Sequence, residues 1–193
     1  AKTSIDAKQW SQALSVQSGF FIEGPKQLAN GRLLLAGEHV GDARRTQRMR
    51  LLYSDQRDAL TGWREAKINP QLLKNFGYTE PNLIRQADGQ LTMLFRNYSG
   101  FLYGNLSQDN GAQWSKPVQT RFPDSTARFA TGQLPDGTTW LINNPGPKKF
   151  DRSLLTIALS SDGSVFDRAF IVRGEPTQMR YEGKSKVNGW QYP

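Results

Sequence analysis

Three carboxylates and one imidazole are the side chains of this sequence best placed to move protons. They are Glu23, Glu80 and Asp124, with His39, the sole histidine among 193 residues. General acid–base chemistry needs carboxyl groups whose pKa values are driven apart, one holding a proton and one ready to accept it. His39 is the one side chain whose ordinary pKa lies near neutrality. Arg96 and Arg128 offer planar forks that grip a carboxylate through paired hydrogen bonds. Asn97, Asn143 and Asn144 add neutral donors and acceptors. Arg180, Lys184 and Gln191 add two cations and an amide near residue 193. Such a set suits an anionic ligand that must be held and protonated. Composition removes other chemistries. The absence of cysteine excludes disulfides, zinc thiolate sites and cysteine nucleophiles. A single histidine excludes a histidine-rich metal site, and a Ser-His-Asp triad would have to run through His39. No metal and no cofactor are expected.

A repeat would bring these positions together. Trp10, Trp63, Trp114 and Phe166 are separated by 53, 51 and 52 residues. A period near fifty is typical of propeller blades. Gln27-Leu28-Ala29-Asn30-Gly31-Arg32-Leu33-Leu34-Leu35 reads as a hairpin, with copies over Ile84 to Phe95 around Asp88-Gly89 and over Gly132 to Ile142 around Asp136-Gly137. Asn-Gly and Asp-Gly between apolar flanks are the strongest short hairpin signal. A third strand is expected over Met49 to Tyr53, Phe101 to Leu106 and Leu154 to Leu159. A fourth runs outward from each aromatic: Trp63 to Ile68, Trp114 to Thr120 and Phe166 to Val172. Four antiparallel strands per unit make a blade. The fold class is therefore all-β, a β-propeller of which this chain covers about three blades: 19–70, 71–121 and 122–174. Trp10 to Val16 matches Trp114 to Thr120, so residues 8–18 are expected to form an outer strand that closes the ring. Residues 175–193 read as the entry to a fourth blade. Six blades would need roughly 310 residues. The remaining blades would come from a second chain or from further copies of this one.

Propeller ligands sit where inner strands begin and second strands end. That registration selects Glu23, Glu80, Asp124 and Arg128 at first-strand entries. It selects Glu38-His39, Arg96-Asn97 and Asn143-Asn144 at second-strand exits, and Arg180, Lys184, Lys186 and Gln191 in the last segment. Each position also has a structural reading. Glu23 and Glu80 stand just ahead of prolines and can pair with arginines of neighbouring blades. Arg128, if buried, must be paired, with protein or with ligand. Asn143-Asn144-Pro145-Gly146-Pro147 is also a turn. Arg44 to Arg50 is either a solvated hairpin tip or a loop that contacts a polyanion. Tyr98, Phe101 and Tyr103 can stack on sugars or fill a core.

Ser107-Gln108-Asp109-Asn110-Gly111-Ala112-Gln113-Trp114 resembles the Asp-box of sialidase-like propellers in full. Ser160 to Phe166 is a shortened copy and Ser54 to Trp63 a loose one. Gly62 to Ala66, Tyr78 to Pro81, Phe122 to Phe129 and Gly189 to Pro193 extend the resemblance to bacterial sialidase-like, Asp-box-repeat proteins over nearly the whole chain. The resemblance implies that the box aspartate caps a tight turn at the rim and that its aromatic packs between strands. For the site it implies three arginines that clamp a carboxylate, a Tyr-Glu nucleophile pair and an aspartic acid/base, an exception to the two-carboxylate scheme of most glycosidases. The first of those arginines normally stands in Arg-Ile-Pro at the entry to the first blade. Here the matching stretch is Phe21-Ile22-Glu23-Gly24-Pro25, without arginine.

Lysine and arginine total 25 against 17 aspartate and glutamate, a net charge of +8. The excess favours an anionic partner. With the resemblance, it leads to two expectations. One is an exo-acting glycoside hydrolase working on a terminal acidic or decorated sugar, secreted or periplasmic. The other is a propeller that binds glycan or protein without catalysis. No nucleic-acid-binding signature accompanies the charge, and no apolar run approaches the roughly 18 residues of a membrane helix, so neither nucleic acid nor membrane is expected as a partner.

Overall fold

Three Gly-containing turns of one geometry start the three hairpins. Gly31, Gly89 and Gly137 hold φ of 86°, 86° and 88°, the left-handed region that a side chain disfavours. Their amides donate to Leu28 O, Gln86 O and Leu134 O at 2.9, 3.0 and 2.9 Å. The preceding Asn30, Asp88 and Asp136 side chains each accept the amide two residues on. The computed structural model describes residues 1–39, 49–68, 79–146, 148–179, 181–183 and 187–190.

Around these turns form three four-stranded antiparallel sheets. The first comprises β1 (Lys26–Gln27), β2 (Leu33–Glu38), β3 (Met49–Ser54) and β4 (Arg64–Glu65), and β5 (Lys67–Ile68) follows it. The second has β6 (Asn82–Arg85), β7 (Leu91–Phe95) and β8 (Phe101–Ser107); after β9 (Gln113–Trp114) its outer strand is β10 (Val118–Pro123). The third has β11 (Ala130–Gln133), β12 (Thr139–Asn143), β13 (Leu155–Ser160) and β14 (Arg168–Arg173). Each sheet runs in chain order from inner to outer strand, as the repeat requires. Inner strands of successive sheets are neighbours: Lys26 Nζ donates to Leu83 O at 3.0 Å and Asn82 Nδ2 to Phe129 O at 3.2 Å.

Two apolar layers separate the sheets. Strand alternation sends Leu91, Met93 and Phe95 of β7 toward the first sheet, where they meet Leu34, Ala36, Leu51 and Trp114. Leu94, from the same strand, faces the third sheet with Leu102, Phe129 and Leu141. Between the second and third sheets remains an apolar cavity of about 580 Å³, lined by Leu94, Phe122, Ala158 and Phe166 among others.

The Asp-box turns bolt each sheet to the one before it. Asp109 Oδ1 accepts the amides of Ala112 and Gln113 and the Ser107 hydroxyl, at 3.1, 2.9 and 2.8 Å. Arg32 of the first sheet donates to the carbonyls of Asp109 and Asn110. Gly111 holds φ of 82°, and a Cβ there would lie 2.5 Å from Leu34 Cδ2, so a side chain would strain the backbone and push Leu34 aside. β5 then pairs with β9 in parallel. Asp162 repeats the turn, and its carbonyl accepts from Ala87 N of the second sheet at 2.8 Å. In the loose copy the capping aspartate is Asp58, which accepts Leu60 N and Thr61 N. Asp55 instead pairs with Arg32 and Arg64.

A fourth box stands at the N-terminus, in Ser4-Ile5-Asp6-Ala7-Lys8-Gln9-Trp10. Asp6 Oδ1 accepts the amides of Lys8 and Gln9 at 2.9 and 3.0 Å, and Ala7 holds φ of 59°. Its indole donates to the carbonyl of the positive-φ residue, as in the other two tryptophan boxes: Trp10 to Ala7, Trp63 to Ala59 and Trp114 to Gly111. The strand expected after it is not formed: residues 8–18 contain no strand, and Trp10 is 57% exposed. A strand exists only against a partner, and among the described residues no strand of the three sheets pairs with this segment. At the other end, Gly189 bridges to Arg152 within the stretch expected to enter a fourth blade. No helix among the described residues is long and apolar enough to cross a membrane.

Candidate functional site

The second strand of each sheet ends in a residue that reaches into the entry of a following unit. Glu38 Oε1 accepts Thr79 N, the Thr79 hydroxyl at 2.9 Å and Glu80 N at 2.7 Å. Arg96, at the equivalent position, donates from Nη1 to Thr126 O at 2.6 Å. Asn144, the third equivalent, donates from Nδ2 to Leu154 O at 2.6 Å and Trp190 O at 2.5 Å. Acid, base and amide thus do one job, fixing the loops that carry Glu80, Asp124 and Trp190. Backbone bonds repeat with them: Arg96 N donates to Thr79 O and Ser125 N to Asn144 O, both at 3.0 Å.

Glu80 and Asp124 lie below the surface on these fixed loops, 7% and 1% exposed. Glu80 holds φ of 40°, and Oε2 is 2.8 Å from Arg96 Nη2. Burial pushes its pKa above the usual carboxylate value against the opposing pull of Arg96. Asp124 Oδ2 accepts Thr126 N at 2.9 Å, while Oδ1 has no aligned donor. Burial drives the Asp124 carboxyl up to about 7, although Thr126 N, the Asn143 side chain, Arg96 and Arg152 all favour the charged form. Arg96 therefore acts electrostatically on both acids. Arg128 is half-buried; Nη2 donates to Ile22 O at 3.4 Å, and Nε is buried without a partner. Its charge also reaches Glu80.

Other candidates have local employment. Asn97 accepts Ser99 N at 2.6 Å and donates to Phe101 O at 2.9 Å, shaping its own loop. Asn143 donates to Pro123 O at 2.9 Å, which positions the Asp124 loop. Glu23 pairs with Lys26 at 3.1 Å. His39 is paired with Glu65 of β4 at 3.3 Å, on the outer side of the first sheet rather than among the buried acids. Arg180, Lys184, Lys186 and Gln191 lie outside the described residues, as does the basic stretch 44–48. Arg152 was not singled out in the sequence. It is 1% exposed, packs 5.4 Å from the Phe150 ring centroid and acts on Asp124. Nothing in Asp151-Arg152-Ser153 marks it; only its place at the start of the third strand, opposite the Asp124 loop, could have. Among the described residues no acid, histidine and cysteine cluster could hold a metal ion.

The arrangement sets cations (Arg96, Arg128 and Arg152) among two acids that burial makes reluctant to ionise. A neutral carboxyl beside fixed guanidinium groups can donate a proton to an anionic ligand without repelling it.

A family model described as a BNR repeat-like domain matches residues 1–193. The intramolecular trans-sialidase of Ruminococcus gnavus, solved with oseltamivir carboxylate, superposes with a TM-score of 0.63 at 22% identity, over 88% of this chain and 38% of that one. A variant of the NanB sialidase of Streptococcus pneumoniae gives 0.67 at 19% identity, over 89% and 28%. A protein of unknown function from Dyadobacter fermentans gives 0.67 at 14% identity, over 96% and 53%. No curated protein matches. The chain spans about a quarter to a half of these solved chains. The likeness is one of fold: the three sheets are blades of a sialidase-like β-propeller.

Proposed function

Because the chain belongs to the family of BNR repeat-like domains, we propose that it carries part of the site of an exo-acting glycoside hydrolase for a terminal acidic sugar, working outside the cytoplasm. The observation that carries this reading is Asp124. Its carboxyl is raised to about 7, has one oxygen without an aligned donor and lies in the field of Arg96 and Arg152. A group poised at neutral pH is what general acid catalysis of glycoside cleavage requires. In this reading Asp124 protonates the leaving oxygen. Glu80, held by Arg96, is the second carboxylate. Arg128, with a buried Nε free of protein partners, takes the sugar carboxylate. Arg96 orients Glu80 and Thr126 rather than the ligand, since both its ends are engaged by protein.

A second reading, glycan binding without turnover, is favoured by Phe21-Ile22-Glu23-Gly24-Pro25, which lacks the arginine that sialidases carry there. Hydrolysis of a panel of sialic- and uronic-acid glycosides separates the two. The hydrolase reading expects sugar release that both Asp124→Asn and Glu80→Gln abolish. Binding with no release across the panel overturns it in favour of the second.

A further inference from the structure

The apolar cavity between the second and third sheets has its cause in the third blade. In the layer between the first and second sheets the box aromatic is Trp114, which is 4% exposed. The third box is one residue shorter and ends in Phe166, whose smaller ring is half-buried. Ala158 and Ala169 stand opposite each other on β13 and β14, and both line the cavity. Two methyl groups and a phenyl ring leave open a space that larger side chains would fill. Its volume of about 580 Å³ is that of a small-molecule site, typically about 300–1,000 Å³. Ser164 and Ala169 at its edge are exposed, so it opens to solvent.

The walls make few polar demands. Gln86 Nε2 donates to Thr92 Oγ1 at 2.6 Å, the Thr120 hydroxyl to Leu102 O at 2.8 Å and the Ser164 hydroxyl to Asp162 Oδ2 at 2.8 Å. These lining groups are therefore satisfied within the protein. Phe122 and Phe166 meet edge-to-face, with centroids 5.6 Å apart and planes at 83°, an arrangement that a third ring can extend. One charged residue stands in the lining, Arg121. The pairing of β10 with β8 shifts register between Gln119 and Pro123. The irregularity breaks strand alternation, so Thr120, Arg121 and Phe122 all border the same cavity. Arg121 is exposed, and among the described residues no carboxylate pairs with it.

We propose that this cavity binds a small aromatic carboxylate, with its ring against Phe122 and Phe166 and its carboxylate toward Arg121. The site is separate from the one proposed for the sugar, since Glu80, Asp124 and Arg128 take no part in its lining. A sugar's hydroxyls would lose water against these walls without gaining partners, whereas a flat ring buries apolar surface there. Charge then chooses among rings: Arg121 favours an acid over a neutral compound of the same shape.

Binding of naphthoate to the protein, with naphthamide as its neutral isostere, tests the site. The expected result is saturable naphthoate binding with a Kd below about 1 mM, and an amide about fivefold weaker. Arg121→Gln should bring the acid down to the affinity of the amide. Ala169→Phe, at an exposed strand position, should weaken both probes by about tenfold or more by occupying the cavity. In methyl NMR spectra of the unsubstituted protein, naphthoate should shift the Leu94, Leu106 and Ala158 signals, a readout that depends on no variant folding. Absence of saturable binding, shifts confined to other methyl groups, equal affinity for acid and amide, or naphthoate affinity that survives Ala169→Phe would each overturn the site.

Discussion

Asp109 and Asp124 are the same residue in opposite settings, one at the blade rim and one beside the inner strands. Burial pushes Asp109 up, but donors from Gln113, Ser107 and Ala112 outweigh it and hold the carboxyl below its usual range. Asp124 receives one aligned backbone donor, and burial wins. The rim aspartate is therefore a charged staple that closes a turn. The inner one is a protonatable group held where charge is costly. Donor count against burial, rather than residue type, decides which of these two carboxylates stays ionised and which holds its proton. The third box aspartate, Asp162, follows the rim pattern; the amides of Val165 and Ser164 hold its pKa far below normal.

The largest expected contrast is in turnover. Asp124→Asn and Glu80→Gln should each lower glycoside hydrolysis by at least about 100-fold, while Asp109→Ala leaves the rate per folded molecule unchanged. Initial rates normalised to folded protein check this. Next comes packing at the rim. Trp114→Ala should cost about 3–5 kcal/mol in denaturant unfolding, since Trp114 is 4% exposed within the first apolar layer. Trp10→Ala, in the same turn with the ring outside any sheet, should change it by no more than about 0.5 kcal/mol. Equal effects would show that the N-terminal box is packed like the others.

The two aspartates should also give stability opposite slopes with pH. Asp124 has a folded pKa above its unfolded one, so its contribution is complete below about pH 4 and is lost as pH rises through about 7. The span allows up to about 4 kcal/mol, and Asp124→Asn should flatten this loss between about pH 4 and pH 7. Asp109 is shifted down, so its contribution is present above the unfolded pKa and disappears in acid. Asp109→Ala should cost about 2 kcal/mol near neutrality, for the hydrogen bonds to a charged acceptor, and less at pH 3. A variant with the reverse pH trend would break the comparison.

What the sequence revealed was local. Aromatics about every fifty residues and the Gly31, Gly89 and Gly137 turns announced the blades, because each turn is closed by atoms within a few residues. The Asp6 box was equally local yet hidden, because alanine stands where the shortened copy has Gly163, and a strained alanine is not expected from sequence. Glu80, Asp124 and Arg96 could be selected because strand registration alone fixes where entries and exits fall. Their partners could not. That Glu38 serves Thr79, that Asn144 serves Trp190 and that His39 turns to Glu65 depend on inter-element distances that no spacing encodes. Arg152 escaped for the same reason, since its importance comes from Asp124, 28 residues earlier in the chain.

The central claim is that burial keeps the Asp124 carboxyl protonatable at neutral pH while the rim aspartates stay ionised. Carbon-13 NMR titration of the aspartate carboxyl resonances, assigned by comparison with Asp124→Asn, tests it directly. The account predicts one aspartate midpoint near pH 7 that vanishes in the variant, with Asp109 and Asp162 titrating below 3.8. An Asp124 midpoint at or below 4 would contradict it.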